Sequence, residues 1–344
     1  MSGVCKSFFQ SMKITHLINE QAPRLGGAQK IIEAIVDGVP YESEVYAFDY
    51  IRRRNFVQKT SGLMLVLRLS FLFIFDRKDR LFVVHHRLFL LLVILFRPNA
   101  LFVCHSTFPN KKFIFKLLGN IKVVAVSEAV KEYLMSVNSN LDVEVIENGV
   151  GFCQSECRVI SDSKDIRIGF VGRPDHVKGY DVLLEAIMLL KHKDYFSCLS
   201  VVHVGPTDLV CESAKEYENS EELKSKISHL GYIEAPFSEL KKVSFICVPS
   251  RFEGFGLVIH EAYSRGHIIV ASALDVFPWR DEKGVFYFEP GCPQSLAKVI
   301  DSVIASEVFS IEPIVRRRNV LPVGTMQDEY RSVFECVFIS RFRG

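Results

Sequence analysis

The run Pro249-Ser250-Arg251-Phe252-Glu253-Gly254-Phe255-Gly256-Leu257-Val258-Ile259-His260-Glu261-Ala262 changes character along its length. Four apolar residues, Phe245 to Val248, lead into it and read as a buried strand. The Pro249-Ser250 turn and a glycine-punctuated loop follow, and a helical pattern begins near Gly256. Strand, glycine loop and helix N-terminus together favour an anion, because free backbone N–H groups and the helix dipole converge on one spot. Two carboxylates, Glu253 and Glu261, lie eight residues apart. At ~1.5 Å per helical residue they are separated by at most roughly 12 Å. That distance suits two hydroxyl-rich ends of one ligand with phosphate between them. A carboxylate accepts two hydroxyl hydrogen bonds at once, so each glutamate is a candidate holder of a sugar or ribose.

Two glutamates with this spacing after a Pro-Ser turn resemble the signature of retaining GT-B glycosyltransferases, specifically glycosyltransferase family four. The resemblance implies that Glu253 holds the donor sugar and Glu261 the ribose. It places Gly254, Phe255, Gly256 and Leu257 in the donor-binding set.

A second loop fits the same reading. Ile166 to Val171 is a clean strand, and Gly172-Arg173-Pro174-Asp175-His176-Val177-Lys178-Gly179 follows before a helix from Tyr180 to Leu190. Arg173 and Lys178 flank a tight turn at a strand end, where two cations suit a diphosphate: Arg through its fork of donors, Lys as a point charge. The Gly-Arg to Lys-Gly spacing resembles the family's diphosphate motif. In the first half, Met12 to Asn19 reads as a strand, and Gly26-Gly27 opens a helix. The family has a comparable Gly-Gly loop close to donor phosphates and acceptor. Ala100 to Cys104 is another strand, with His105 just past its carboxyl end, where open parallel sheets bind ligands. By resemblance His105, rather than His85 or His86, contacts the sugar or acceptor, although Ser106 replaces the acidic residue that often follows. Tyr232 sits where the family places the nucleotide base.

The chain of 344 residues is long enough for two domains, and 49% hydrophobic residues exclude a disordered tail. Residues 1–160 hold 20 Lys and Arg against 14 Asp and Glu, and residues 161–344 hold 22 against 26. A basic first half and an acidic second half imply different partners for the two halves. No long basic run interleaves with aromatics, which argues against nucleic acid. Nine scattered cysteines lack metal-site spacing and read as reduced thiols. With no signal-peptide pattern after Lys6, the expected location is cytoplasmic. The apolar runs from Gly62 to Phe75 and from Leu81 to Phe96 are broken by charged or histidine residues and fall short of a membrane span of ~18 residues. Lys111, Lys112 and Lys116 among phenylalanines give either a basic helix lying on an anionic membrane or an ordinary surface helix.

Strand and helix patterns alternate throughout, predicting an α/β fold of two doubly wound parallel sheets. The resemblance implies GT-B architecture with the active site in a cleft. The expected divisions are an acceptor-side domain over 1–160, a nucleotide-sugar domain over 161–312, and a tail over 313–344 that crosses back to the first domain. Residues 221–229 are predicted as helix. The segment Asp275-Val276-Phe277-Pro278-Trp279-Arg280 departs from the family, which commonly has a glycine-rich turn and a further glutamate there. The implied reaction moves a sugar from a nucleotide-diphosphate sugar to a hydroxyl of a glycan, lipid-linked as in lipopolysaccharide or O-antigen assembly, with retention. No cofactor or metal is expected, since Arg173 and Lys178 supply the charge. Two rival classes stay open: another GT-B enzyme on the same donors, and a non-catalytic nucleotide-sugar binder that partners another transferase.

Overall fold

The computed structural model describes residues 12–19, 26–47, 50–53, 56–59, 62–75, 79–96, 98–107, 112–160, 165–277, 279, 282–308, 313 and 320–340. The chain divides into two compact units: Met1–Gly149 with Leu321–Gly344, and Val150–Val320.

Among the described residues the first unit contains, in order, β1 Lys13–Leu17, α1 Gly27–Gly38, β2 Glu42–Tyr46, β3 Tyr50–Arg53, β4 Phe56–Lys59, α2 Gly62–Phe75, β5 Arg80–Val84, α3 Leu90–Phe96, β6 Ala100–Cys104, α4 Lys112–Lys116, β7 Lys122–Ala125, α5 Glu128–Val137 and β8 Val143–Val145. The strands form one sheet in the order β4-β3-β2-β1-β5-β6-β7-β8. Pairing is parallel except at β2–β3 and β3–β4, which make an antiparallel edge. The central strands β5 and β6 are buried at every position, as expected of strands covered on both faces.

The second unit follows with β9 Ile166–Val171, α6 Tyr180–Leu189, β10 Leu199–Val204, α7 Glu212–Glu218, β11 Ile227–His229, α8 Pro236–Leu240, β12 Phe245–Val248, α9 Leu257–Ser264, β13 Ile269–Ser272, β14 Val285–Phe288 and α10 Pro293–Ala305. Its sheet, β11-β10-β9-β12-β13-β14, is parallel throughout. The chain winds outward in one direction from β9 through β10 to β11, then returns to start again at β12 on the other side. The strand order therefore reverses between β9 and β12, and a doubly wound sheet opens a ligand crevice at such a point. Two apolar layers cover the sheet, one containing Phe170, Tyr180 and Leu183, the other Val248, Ile259 and Tyr263.

The last helix, α11 Val323–Ser340, belongs to the first unit. Gln327 Nε2 donates to the Ala34 carbonyl (2.7 Å), and Tyr41 donates to Glu335 (2.5 Å). Two divisions differ from expectation. The first unit ends at Gly149, because residues after it are tied into the second unit: Arg158 N bonds the Arg265 carbonyl, Val159 N bonds Lys241, and Arg265 pairs with Glu156. The return to the first unit comes at Leu321 rather than 313. Residues 227–229 are strand rather than helix, because Val201 and its neighbours on β10 offer an unpaired edge that β11 completes.

Candidate active site

In the second unit both predicted loops leave the carboxyl ends of β9 and β12, the two strands at the reversal. Their closeness depends on glycine. Gly179, the residue before α6, has φ +69°, and a Cβ there would sit 1.8 Å from the Pro249 carbonyl oxygen. Only glycine combines that left-handed conformation with that approach. The loops are then joined by backbone and side chain: Arg251 N donates to the Val177 carbonyl (2.9 Å), and Arg251 Nη1 donates to the His176 carbonyl (2.8 Å). Arg251 also grips Asp181, in the first turn of α6, through two parallel bonds of 2.7 and 3.0 Å. Burial alone would raise the Asp181 carboxyl, but the Arg251 bonds, with Ser213, hold it below its ordinary range.

This frame brings Lys178 and Glu253 into contact. Lys178 Nζ donates to Glu253 Oε1 at 2.7 Å, and Ser250 Oγ donates to the same oxygen at 2.8 Å. The Asp175 carboxylate accepts from the backbone N–H of Lys178 three residues on (2.9 Å), a capping-type bond that tightens the loop, and pairs with Arg173 (3.2 Å). Lys178 of the β9–α6 loop thus meets a carboxylate of the β12–α9 loop, while Arg173, at the other end of its loop, is tied to Lys178 through Asp175. Arg251, Asp181 and Ser250 were not foreseen as site residues. The signal was available only as an arginine beside the Pro-Ser turn and an acid in the first turn of the helix after the Gly172–Gly179 loop, neither distinctive alone.

Gly256 stands before α9 at φ +80°, and a Cβ there would meet Phe277 Cε1 at 2.4 Å. Phe277 and Trp279 are buried, in the segment where the sequence departs from the family pattern. Trp279 stacks on Tyr263 (4.0 Å between ring centres) and meets His260 edge-on, while His260 stacks on Phe255 (3.9 Å). These aromatics form a bed under α9 and fix its entry, with Gly254 and Phe255 buried and Leu257 half-buried at its start. Glu261 is half-buried on α9, and Tyr232 is exposed beside Gly231.

Beneath the Gly172–Arg173 backbone lies His203, whose Nε2 is 2.9 Å from the Gly172 carbonyl and whose Nδ1 is 2.8 Å from His229 Nδ1. A carbonyl can only accept, so His203 Nε2 carries the proton and Nδ1 receives one from His229. Burial lowers the His203 pKa to about 4, against the raising effect of that carbonyl.

In the first unit, Gly26 caps α1, its carbonyl accepting from Gln29 N (3.1 Å), and Gly27 is the first helical residue. His105 follows β6, and it is not alone. His16 on β1, His85 after β5 and His105 form a file: His16 Nδ1 to His85 Nε2 is 3.0 Å, and His85 Nδ1 to His105 Nε2 is 3.0 Å. The rings stack in sequence at 5.3 Å spacing. Burial lowers His105 to about 4 and His16 to about 3, so the file is neutral at physiological pH. Parallel neighbours β1, β5 and β6 bring these residues together, which no local pattern announces. Of the three lysines considered for membrane contact, Lys111 and the side chain of Lys112 lie outside the described residues, and Lys116 ends a helix of only five residues.

Residues 165–306 match the family described as Glycosyl transferases group 1. The crystal structure of Anabaena HepE in complex with UDP and glucose superposes with a TM-score of 0.73 at 19% identity, covering 94% of this chain and all of that one. The fold is GT-B. The lipopolysaccharide outer core galactosyltransferase WaaB shares this GT-B architecture with a TM-score of 0.66 at 18% identity, over 94% of this chain and all of that one. An uncharacterized glycosyltransferase of Methanocaldococcus jannaschii is 28% identical over 180 residues, 51% of this chain and 46% of the relative. The chain thus spans less than half the length of that curated relative.

Proposed function

We propose that this protein is a retaining glycosyltransferase of family four that takes its sugar from a nucleotide-diphosphate sugar. The observation that carries the reading is the convergence of Arg173, Lys178 and Glu253 on the strand-order reversal of the second unit, inside the segment that matches the glycosyltransferase family. Arg173 and Lys178 neutralise charge growing on the leaving diphosphate, a transition-state interaction of the kind that often dominates catalysis. The α9 N-terminus adds its dipole at the Gly254–Leu257 segment. With two cations in place the mechanism calls for no metal. Glu253 holds donor-sugar hydroxyls through the carboxylate oxygen that Lys178 and Ser250 leave over. Glu261 holds the ribose, and the backbone near Tyr232 faces the base. His105 contacts the sugar or the acceptor, and the Gly26-Gly27 loop approaches the donor phosphates. In this retaining reading the leaving phosphate itself takes the acceptor proton on the same face. The acceptor is a lipid-linked glycan of the lipopolysaccharide type, a reading supported by analogy with WaaB.

The test is thermal stabilisation by a panel of nucleotide-diphosphate sugars, beginning with UDP-glucose. A ligand at a hundredfold excess over its Kd adds about 2.7 kcal/mol. One donor should raise the melting temperature of the wild type and leave Arg173→Ala and Glu261→Ala unmoved. A panel that shifts nothing, or shifts the variants equally, rejects the donor site.

A further inference from the structure

The helix α2, GLMLVLRLSFLFIF, is apolar on all sides apart from Arg68 and Ser70. One face, Leu65, Leu69, Leu72 and Phe73, is buried. The opposite face is not: Leu63 remains 72% exposed and Phe75 71%, with Leu67 and Phe71 between them and Phe71 packed on Phe75. Helix α3 packs against α2, with Phe73 and Phe96 in ring contact (5.8 Å), and presents Leu91 and Leu95 on its own outer face. The connections β5–α3–β6 and β6–α4–β7 join parallel neighbours in one direction, and right-handed crossovers put α3 and α4 on one face of the sheet. Exposed Phe113 on α4 extends the patch there. Of the 19 large apolar residues exposed among the described residues, 12 fall between Leu63 and Leu117. A helix apolar all round belongs in apolar surroundings, and a monomer rarely leaves so continuous a patch in water.

Charge identifies the occupant. Residues 62–117 contain nine Lys and Arg against two Asp, a surplus of seven, which exceeds the surplus of six for the whole of residues 1–160. Arg80 is in a buried pair with Glu44 (2.7 Å), and Lys116 is exposed at the end of α4. An exposed apolar face within a segment of cationic surplus matches an anionic lipid surface, the apolar side chains entering the acyl boundary and the positive charge favouring anionic head groups. At 14 residues α2 is ~21 Å long, too short for a hydrocarbon core of ~30 Å, and no described helix is long and apolar enough to cross a membrane.

We propose that the outer face of α2 and α3 is a docking surface for anionic lipid bilayers, on which the protein lies with α2 flat in the interface. This deepens the proposed function by supplying the surface on which a lipid-linked acceptor is met. The experiment is co-sedimentation of the full chain with phosphatidylcholine vesicles containing phosphatidylglycerol, beside pure phosphatidylcholine vesicles. The variant is Leu67→Glu/Phe71→Glu/Leu95→Glu, whose positions are exposed, with its melting temperature and donor-induced shift measured alongside. The wild type should bind the anionic vesicles, bind phosphatidylcholine at least tenfold more weakly, and lose tenfold or more in the variant while the melting temperature stays within a few degrees. Equal binding by wild type and variant, or no binding by either, overturns the proposal. So does a result in which the face serves only self-association, the wild type dimerising and the variant monomeric without vesicle binding. Absence of a donor shift in the wild type would sink the transferase reading and leave the vesicle result standing.

Discussion

Acidification should melt this protein well above the pH at which carboxylates protonate. Burial holds six histidines below their ordinary pKa of 6.5. In the first unit they are His16 (about 3), His85 (well below) and His105 (about 4). In the second they are His203 (about 4), His260 (about 4) and His267 (about 3). Above pH 6.5 folded and unfolded chains are both neutral at these sites, and the stability is fully present. Below 6.5 the unfolded chain takes up protons that the folded chain refuses, so stability falls with pH until the folded values near 4 and 3 are reached. At pH 5.5 each group costs about 1.4 kcal/mol relative to pH 7.5, or about 4 kcal/mol for each unit of three. That is a large part of a domain stability of roughly 5–15 kcal/mol. At ~2–4 °C per kcal/mol the melting temperature should drop by roughly 8–16 °C. Two carboxylates oppose the loss in the first unit. Burial and neighbouring acids raise Glu147 and Glu329, and a raised carboxyl is relieved as pH falls. The second unit should therefore lose more. Scanning calorimetry at pH 7.5 and 5.5, in buffers of different ionisation enthalpy, reads both the shift and the protons taken up on unfolding. Melting temperatures within 2 °C of each other, with no proton uptake, would refute the neutral burial of these histidines.

Two substitutions test the frame that joins the donor loops. Gly179→Ala places a Cβ against the Pro249 carbonyl and forces a left-handed alanine. Beyond ~1–2 kcal/mol for the backbone, the overlap should bring the loss to at least about 3 kcal/mol in a denaturant melt and abolish the donor shift; a wild-type melt would mean that the loops do not touch there. Arg251→Lys keeps the charge but loses the parallel pair of bonds to Asp181. Urea unfolding should show a loss of about 2 kcal/mol, with weaker donor binding from a spread Lys178–Glu253 contact, whereas an unchanged Kd would mean that Arg251 does not hold the loops together.

What the sequence announced was local. Glycines at strand ends, a Pro-Ser turn and cations at fixed offsets are read within a few residues, and they located the loops after β9 and β12. The strand Phe245–Val248 is four apolar residues between breakers, and the structure starts and stops it there. What escaped was produced by adjacency in the sheet. Lys178 meets Glu253 across 75 positions, and Arg251 meets Asp181 across 70, because β9 and β12 are neighbours only at the reversal of strand order. The histidine file spans β1, β5 and β6, and His16 carried no mark beyond being a polar residue in an apolar strand. Short edges escaped for a different reason. Tyr50–Arg53 and Phe56–Lys59 are four residues each and rich in charge, and β11 is three, too short for a period to show. The same logic bears on α2. An apolar run interrupted by one arginine fits a buried helix, and half of α2 is one. Periodicity cannot distinguish a helix covered on both sides by protein from one covered on a single side, since the residues are the same. Only the sheet's position tells which face has been covered, and Leu63, Leu67, Phe71 and Phe75 are on the face that it leaves open.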